Sequence, residues 1–264
     1  MHNVVNPDIL FITLDSCRYD TFKAADAPNL KAIGPLHLAH SPSHFTYGAH
    51  SSFFMGFTPG VAGSNEPYIN PKYAKLFKLD GAGFPGFAPA YLSLEGKNIV
   101  DGLKKKGYFS IGSGAAGWFN DKTTAGKVLT SDFDTYYYPG NTYSICRQLD
   151  WINEQMNNTS APKFVFLNIG ETHVPYYYEN APWDIHDNPC LPFATNNDAQ
   201  KCRIRQKACL EYVDHQLAPL LKRFARATVL ICSDHGDCWG EDGLWEHGIH
   251  HQKTLEVPLL FRLV

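Results

Sequence analysis

Two histidines and five carboxylates fall within the sixteen residues SDHGDCWGEDGLWEHG, Ser233 to Gly248, directly after the apolar run TVLIC. Adjacent Asp234 and His235 offer a hard oxygen and an imidazole nitrogen, which suit a zinc- or manganese-like ion where the chain turns as it leaves a strand. His247 arrives twelve residues after His235, with His250 and His251 behind it. Three other segments carry related side chains. Asp15 follows DILFITL, Glu171 and His173 follow KFVFLNIG, and SPSHFTYGAHSSFFMG, residues 41–56, holds Ser43, Thr46, Ser51 and Ser52. A hydroxyl at a helix start is activated by a nearby metal ion, and the helix N-terminus presents amides to an incoming phosphate. Taken one at a time, these residues read more plainly as turn residues, helix caps and a polar loop. Only their common position beside apolar runs makes them one candidate site.

The elements that must position them are legible as short apolar runs: DILFITL (8–14), YFSIGSG (108–114), KFVFLNIG (163–170), TVLICS (228–233) and VPLLFRL (257–263). They lack the polar alternation of half-exposed strands, so they read as buried strands of a mostly parallel sheet. Helical patterns lie between them. In NIVDGLKKKGY, Ile99 and Leu103 share a face and Gly107 follows as a C-terminal stop. In YSICRQLDWINEQM, Ile145, Leu149, Ile152 and Met156 recur at helical spacing, and KACLEYVDHQLAPLLKRFA continues the theme with a kink expected at Pro219. Strands alternating with helices predict an α/β three-layer sandwich, with residues 1–264 as a single catalytic domain. The Gly/Pro-rich stretch 80–96 reads as a surface loop. In such folds ligands sit beyond the carboxyl ends of the strands, where Asp15, Glu171, His173, Asp234 and His235 fall.

The bulk composition narrows the partners. A net charge of -3 gives no electrostatic reason to bind nucleic acid or an acidic membrane surface, so an anionic substrate needs local positive charge, which a metal ion supplies. No run reaches the roughly 18 apolar residues of a membrane span, and MHNVVNPDILFITLD lacks the layout of a signal peptide, so a cytoplasmic location is expected. Seven cysteines in a chain of this size read as free thiols, although Cys190, Cys202 and Cys209 cluster in one polar stretch. The tyrosine runs TYYYP (135–139) and PYYYE (175–179) read as packing against the protein's own surface rather than lining a pocket. Homo-oligomer formation is left open.

Taken together, these segments resemble the alkaline phosphatase superfamily, on the sulfatase-like branch that includes phosphoethanolamine transferases and lipoteichoic acid synthases. SDHGDCWGEDGLWEHG is similar to that branch's Ser-Asp-His-Gly-Glu signature with the Gly-Glu-x-Gly and His-Gly that follow, TLEVPLLF to its Val-Pro strand, and ILFITLDSCRYDTF to its first ligand strand. The resemblance implies that Asp15, Asp234 and His235 hold the main metal ion, zinc or manganese, and that Thr46 is the nucleophile completing its shell. Thr46 follows from register, because in that family the nucleophile lies ten residues before the glycine that ends the helix, here Gly56. His173 and His247 match histidines that bind the substrate's phosphate or a second metal ion. His50 falls where sulfatases carry an arginine, and the nucleophile position holds no cysteine, which demotes sulfate ester hydrolysis. The cysteine-flanked stretch 188–217 is similar to a loop of the phosphoethanolamine transferases, and whether Cys190 and Cys202 pair stays open. The implied activity is metal-dependent hydrolysis or transfer of a small-molecule phosphate ester or phosphonate through a covalent threonine intermediate. Alternatives are a cytosolic phosphoryl mutase or transferase, a sulfatase-like hydrolase of another ester, and a catalytically silent metal-binding protein.

Overall fold

The computed structural model describes residues 6–56, 76–79, 92–94 and 98–264. Its centre is a seven-stranded sheet. Strands β1 (Ile9–Leu14), β5 (Phe109–Gly114), β6 (Thr135–Tyr137), β7 (Lys163–Ile169) and β8 (Thr228–Ser233) run parallel in the order β8-β1-β7-β5-β6. Beyond β8 lie β11 (Glu256–Arg262) and the edge strand β2 (His37–His40), and β11 is antiparallel to both its neighbours. The VPLLFRL run is therefore the antiparallel exception in the mostly parallel sheet. Two small antiparallel pairs, β3 (Leu76–Leu79) with β4 (Leu92–Leu94) and β9 (Cys238–Trp239) with β10 (Trp245–Glu246), complete the strands among the described residues. Strand β4 falls inside the stretch 80–96 read as a loop, whose remaining residues lie outside the described ones.

Side-chain alternation explains why the strands look apolar throughout. Leu10, Ile12 and Leu14 of β1 and Val165, Leu167 and Ile169 of β7 enter one core, while Phe164 and Phe166 enter the other, with Ile9 and Phe11 packed against it. The first core is closed by α1 (Tyr19–Ala24), α2 (Pro28–Lys31), α6 (Ile145–Asn157) and α7 (Ala199–Arg223). The second lies under α3 (Thr46–Met55), α4 (Ile99–Lys104) and α5 (Thr124–Thr130). These two helical layers around the sheet form the three-layer α/β sandwich.

Helix α6 buries Ile145, Leu149, Ile152 and Met156, the stripe its spacing predicts. Two helices depart from expectation. In α4 the buried residue is Val100, while Ile99 is 51% exposed, because a helix of six residues presents only about one turn and a half to the sheet. Helix α7 begins at Ala199, two turns before the apolar pattern, and its start is fixed by Asp198, whose carboxylate accepts from the amides of Gln200 and Lys201. It continues through Pro219 to Arg223 as one helix. The tyrosine runs pack inward: Tyr176 is fully buried, Tyr178 stacks on Tyr212 and Tyr137 on Trp151. All seven cysteines are free thiols, with Cys190, Cys202 and Cys209 in one buried cluster beside Tyr176 and Trp239.

Candidate active site

The carboxyl ends of β1, β7 and β8, three adjacent strands, deliver the polar residues to one place. Asp15 leaves β1 with its amide bonded to the Ile169 carbonyl of β7 at 2.9 Å, and its own carbonyl accepts from Thr172 Oγ1 at 2.7 Å. Ser16 then turns back with φ of 59°, so that its amide reaches Asp234 Oδ1 at 3.1 Å. On β8, Ser233 Oγ lies 2.5 Å from the Leu14 carbonyl and 2.6 Å from the His235 carbonyl, tying the two strand ends together. Gly236 follows because a Cβ there would collide with the Lys253 carbonyl.

Thr46 comes from the other side of the cleft. Phe45 is extended, Thr46 is the first residue of α3, and the first intrahelical bond runs from the Ala49 amide to the Phe45 carbonyl. The amides of Thr46, Tyr47 and Gly48 precede that bond and point out of the helix start. The helix stops ten residues on, at Gly56 with φ of 63°. Thr46 Oγ1 lies 3.5 Å from Asp15 Oδ1 and 3.2 Å from His235 Nε2. Of the four hydroxyls competing in the sequence, Thr46 is the one that reaches these groups; Ser52 bonds back to the Gly48 carbonyl.

Asp15, Asp234 and His235 are fully buried, and one ligand atom from each lies within 4.8 Å of the others. His235 Nδ1 donates to the Gly236 carbonyl at 3.1 Å, which leaves Nε2 as an open lone pair facing Asp15, Asp234 and Thr46. Burial drives the His235 pKa well below its ordinary value, so the ring is neutral and ready to ligate. Burial raises the pKa of both Asp15 and Asp234, and the charge of Asp15 raises Asp234 further. Asp234 Oδ2 has no hydrogen-bond partner at all. A divalent cation fits this cage: it matches a two-carboxylate, one-imidazole, one-hydroxyl donor set and satisfies the orphaned oxygen. Asp15, Thr46, Asp234 and His235 would hold it.

His173 and His247 stand at the rim. Their rings are 5.0 Å apart, and His247 lies 4.5 Å from His235. His173 Nδ1 donates to the Val174 carbonyl at 2.9 Å, and His247 Nδ1 pairs with Asp237 Oδ1 at 2.7 Å. Burial opposes a charge on His247, but Asp237 outweighs it and takes the ring up to about 9. His235, Asp237 and His247 form a second compact donor set, one that the sequence pattern did not single out and that leaves His173 outside. It is a poorer cage than the first, because Asp237 Oδ1 is already bonded to His247 Nδ1 and His235 has a single free nitrogen.

Two residues at the rim turn inward. Glu171 Oε1 accepts from the Ile145 amide at 2.8 Å and so caps α6, whose N-cap Ser144 makes no side-chain cap bond. His50, at the sulfatase arginine position, is fully buried. Its Nδ1 donates to the Thr46 carbonyl and its Nε2 accepts from Thr13 Oγ1, both at 2.8 Å, while the edges of Phe53, Phe54, Phe119 and Phe166 enclose it. Burial lowers its pKa to about 4, so it braces the start of α3 as a neutral ring and supplies no cation to the cleft. Gln206 of α7 is a further support. Its amide donates to the Ser16 and Thr172 carbonyls at 2.9 and 3.0 Å, joining the turns that carry Asp15 and His173. A mid-helix glutamine gives no sequence signal for that role.

The sheet, the strand-end ligands and the hydroxyl at a helix start define a sulfatase-like α/β enzyme fold. The model of the sulfatase family matches residues 7–263, and the chain belongs to that family. A choline-sulfatase of Rhizobium meliloti is 22% identical over 323 residues; the match covers 96% of this chain but only 62% of that protein. Among solved structures, the C-terminal periplasmic domain of the phosphoethanolamine transferase EptC from Campylobacter jejuni superposes with a TM-score of 0.69 at 13% identity, covering 98% of this chain and 79% of that one. The corresponding EptC domain from Escherichia coli, in complex with Zn, gives 0.63 at 15% identity, covering 98% and 73%. No helix among the described residues is long and apolar enough to cross a membrane.

Proposed function

We propose that this protein is a metal-dependent phosphoryl-transfer enzyme that hydrolyses or transfers a small phosphate ester or phosphonate, with Thr46 as nucleophile. The observation that carries the reading is the position of Thr46 Oγ1, 3.2 Å from a neutral His235 Nε2 and 3.5 Å from Asp15, beside a buried Asp234 oxygen with no partner. A zinc or manganese ion bound there supplies positive charge to the threonine oxygen and to the oxygens of the group being transferred. Thr46 attacks phosphorus, forming the Oγ1–P bond as the bond to the leaving oxygen breaks; the Oγ1 proton passes to solvent and the leaving oxygen takes one up. The amides of Thr46, Tyr47 and Gly48 offer donors to the developing negative charge at the helix start. His247, protonated and bonded through Nδ1 to Asp237, offers its Nε2–H to phosphoryl or leaving-group oxygens, and His173 faces the same cleft beside it. Water or an acceptor alcohol then takes the phosphoryl group from Thr46.

The choline-sulfatase relative favours a second reading, hydrolysis of a sulfate ester. Thr46 weighs against it, since a threonine does not yield the formylglycine of sulfatases that use a cysteine at this position. A cytoplasmic location is part of the proposal and is supported by the seven free thiols, which fit a reducing compartment.

The test is turnover of aryl phosphate monoesters, diesters and sulfates by purified protein, with and without zinc or manganese, set beside Thr46→Ala. Metal-dependent phosphate ester turnover is expected in the native protein. The variant is expected to keep its metal and lose on the order of a thousandfold or more in rate. Equal turnover by the metal-loaded variant rejects Thr46 as nucleophile, and turnover of the sulfate alone selects the second reading.

A further inference from the structure

Three histidines converge on the cleft, and each is anchored through Nδ1, but their anchors differ. His235 and His173 bond to backbone carbonyls of their own loops, Gly236 and Val174. His247 bonds instead to a side chain, the carboxylate of Asp237. That carboxylate is fully buried and is itself held: Oδ2 accepts from Tyr176 Oη at 2.8 Å, and Tyr176 Oη accepts from Trp239 Nε1 at 2.7 Å. Tyr176 is also fully buried and sits at φ of 61°, a region that strains a non-glycine residue and persists only where the surroundings enforce it. Its amide donates to the His173 carbonyl at 2.7 Å, so one tight turn sends His173 toward the cleft and Tyr176 back toward Asp237.

We infer that Asp237 is a positioning residue which, braced by Tyr176 and Trp239, holds the Nδ1–H of His247 and so fixes the ring with Nε2 aimed at the transferring group, while tying the His173 turn to the same frame. A carboxylate accepts only, so the ring nitrogen facing it must be the donor, and the opposite nitrogen faces the cleft in one fixed orientation. This chain spans two loops, those after β7 and β8, which otherwise carry their histidines separately. The Asp237–His247 bond therefore acts on chemistry through His247 and not by touching substrate.

The inference rests on the phosphoryl-transfer reading for its kinetic consequence and on geometry alone for its structural one, so two readouts separate them. In metal-loaded Asp237→Asn, kcat toward an aryl phosphate is expected to fall about 10- to 100-fold with KM changed far less, and metal content to stay at the native level. Tyr176→Phe, which removes only the brace, is expected to lose a smaller factor in kcat in the same direction. The direct readout is the imidazole 15N spectrum of His247. Its Nδ1–H is expected to read as a strongly hydrogen-bonded donor in native protein and to lose that signature in Asp237→Asn. Native kcat in both variants, or a native-like His247 Nδ1 signal in Asp237→Asn, overturns the inference; so does a loss of melting temperature with neither change. If native protein turns over no ester, the proposed function fails and the 15N comparison still decides the positioning role.

Discussion

Two buried polar clusters share the turn that follows β1, and they are built on opposite principles. Arg18 is 2% exposed, yet every arm of its guanidinium is engaged: Asp20 bidentately at 2.8 and 2.6 Å, Glu241 at 2.8 Å and the Asp237 carbonyl at 3.1 Å, with the plane 4.1 Å from the Trp239 ring. Burial works against its charge, and Asp20 and Glu241 more than compensate. Three residues earlier, Asp15 faces a second carboxylate, a neutral imidazole and a hydroxyl, and the attraction of His173 and His247 at the rim offsets its burial only in part. An uncompensated buried charge is among the most unfavourable features a fold can hold. The first cluster is complete as the chain makes it, whereas the second is complete only with a cation. That difference, more than the residue types, separates a structural cluster from a candidate active site.

The comparison is broken most severely by removing a ligand. Asp234→Ala is expected to lose most of its bound metal and at least about a hundredfold in turnover. Stripped of metal, Asp234→Asn, which keeps Oδ1 as acceptor for the Ser16 amide, is expected to melt no lower than stripped native protein, because the buried carboxylate beside Asp15 is gone. Elemental analysis and thermal melting with and without chelator check both outcomes, and full metal occupancy in Asp234→Ala erases the contrast.

Glu171 sharpens the comparison, since it lies between the two extremes: one oxygen is bonded to an amide and the other has no partner. Burial raises it from 4.5 to about 7, so the native protein holds a proton that the unfolded chain releases across that window. Stability from this group therefore falls as pH rises from about 4.5 to 7 and stays lower above it. Glu171→Gln keeps an acceptor for the Ile145 amide and is expected to flatten that slope. At pH 8 the gain reaches at most about 3 kcal/mol, with little change at pH 4. Urea unfolding of metal-free protein at the two pH values measures it, and an unchanged slope rejects the account.

The smallest effect is expected on the completed side. Arg18→Met removes the shared cation from Asp20 and Glu241, but these are 47% and 24% exposed and recover part of their solvation. A destabilisation of about 2 kcal/mol is expected, below that of breaking a fully buried pair. Metal content per folded molecule is expected to stay native, and its loss would show that the two clusters are not separable.

How much of this was legible beforehand depends on the range of the interaction involved. Four of the apolar runs are parallel strands because residues buried on both faces leave a continuous local signature, and the stripe on α6 is equally local. Asp15, Thr46, Asp234 and His235 stood out as candidates by strand-end position and family register, and the fold brings them together. The short strands β2 and β6 carry too few residues for a pattern, and nothing local in VPLLFRL distinguishes a parallel from an antiparallel neighbour. The same limit hid the roles of single side chains. Glu171 and His50 looked cleft-facing by position, and their partners Ile145 and Thr13, 26 and 37 residues away, turn them into braces. Asp237 looked like one more acid in a rich segment until Tyr176, 61 residues away, took its second oxygen. The sequence by itself determined the five long strands, the chemistry available at the strand ends and the family. Tertiary structure alone decided which carboxylates meet a donor and which are left facing one another, because a buried oxygen's partner is chosen by the packing of distant segments.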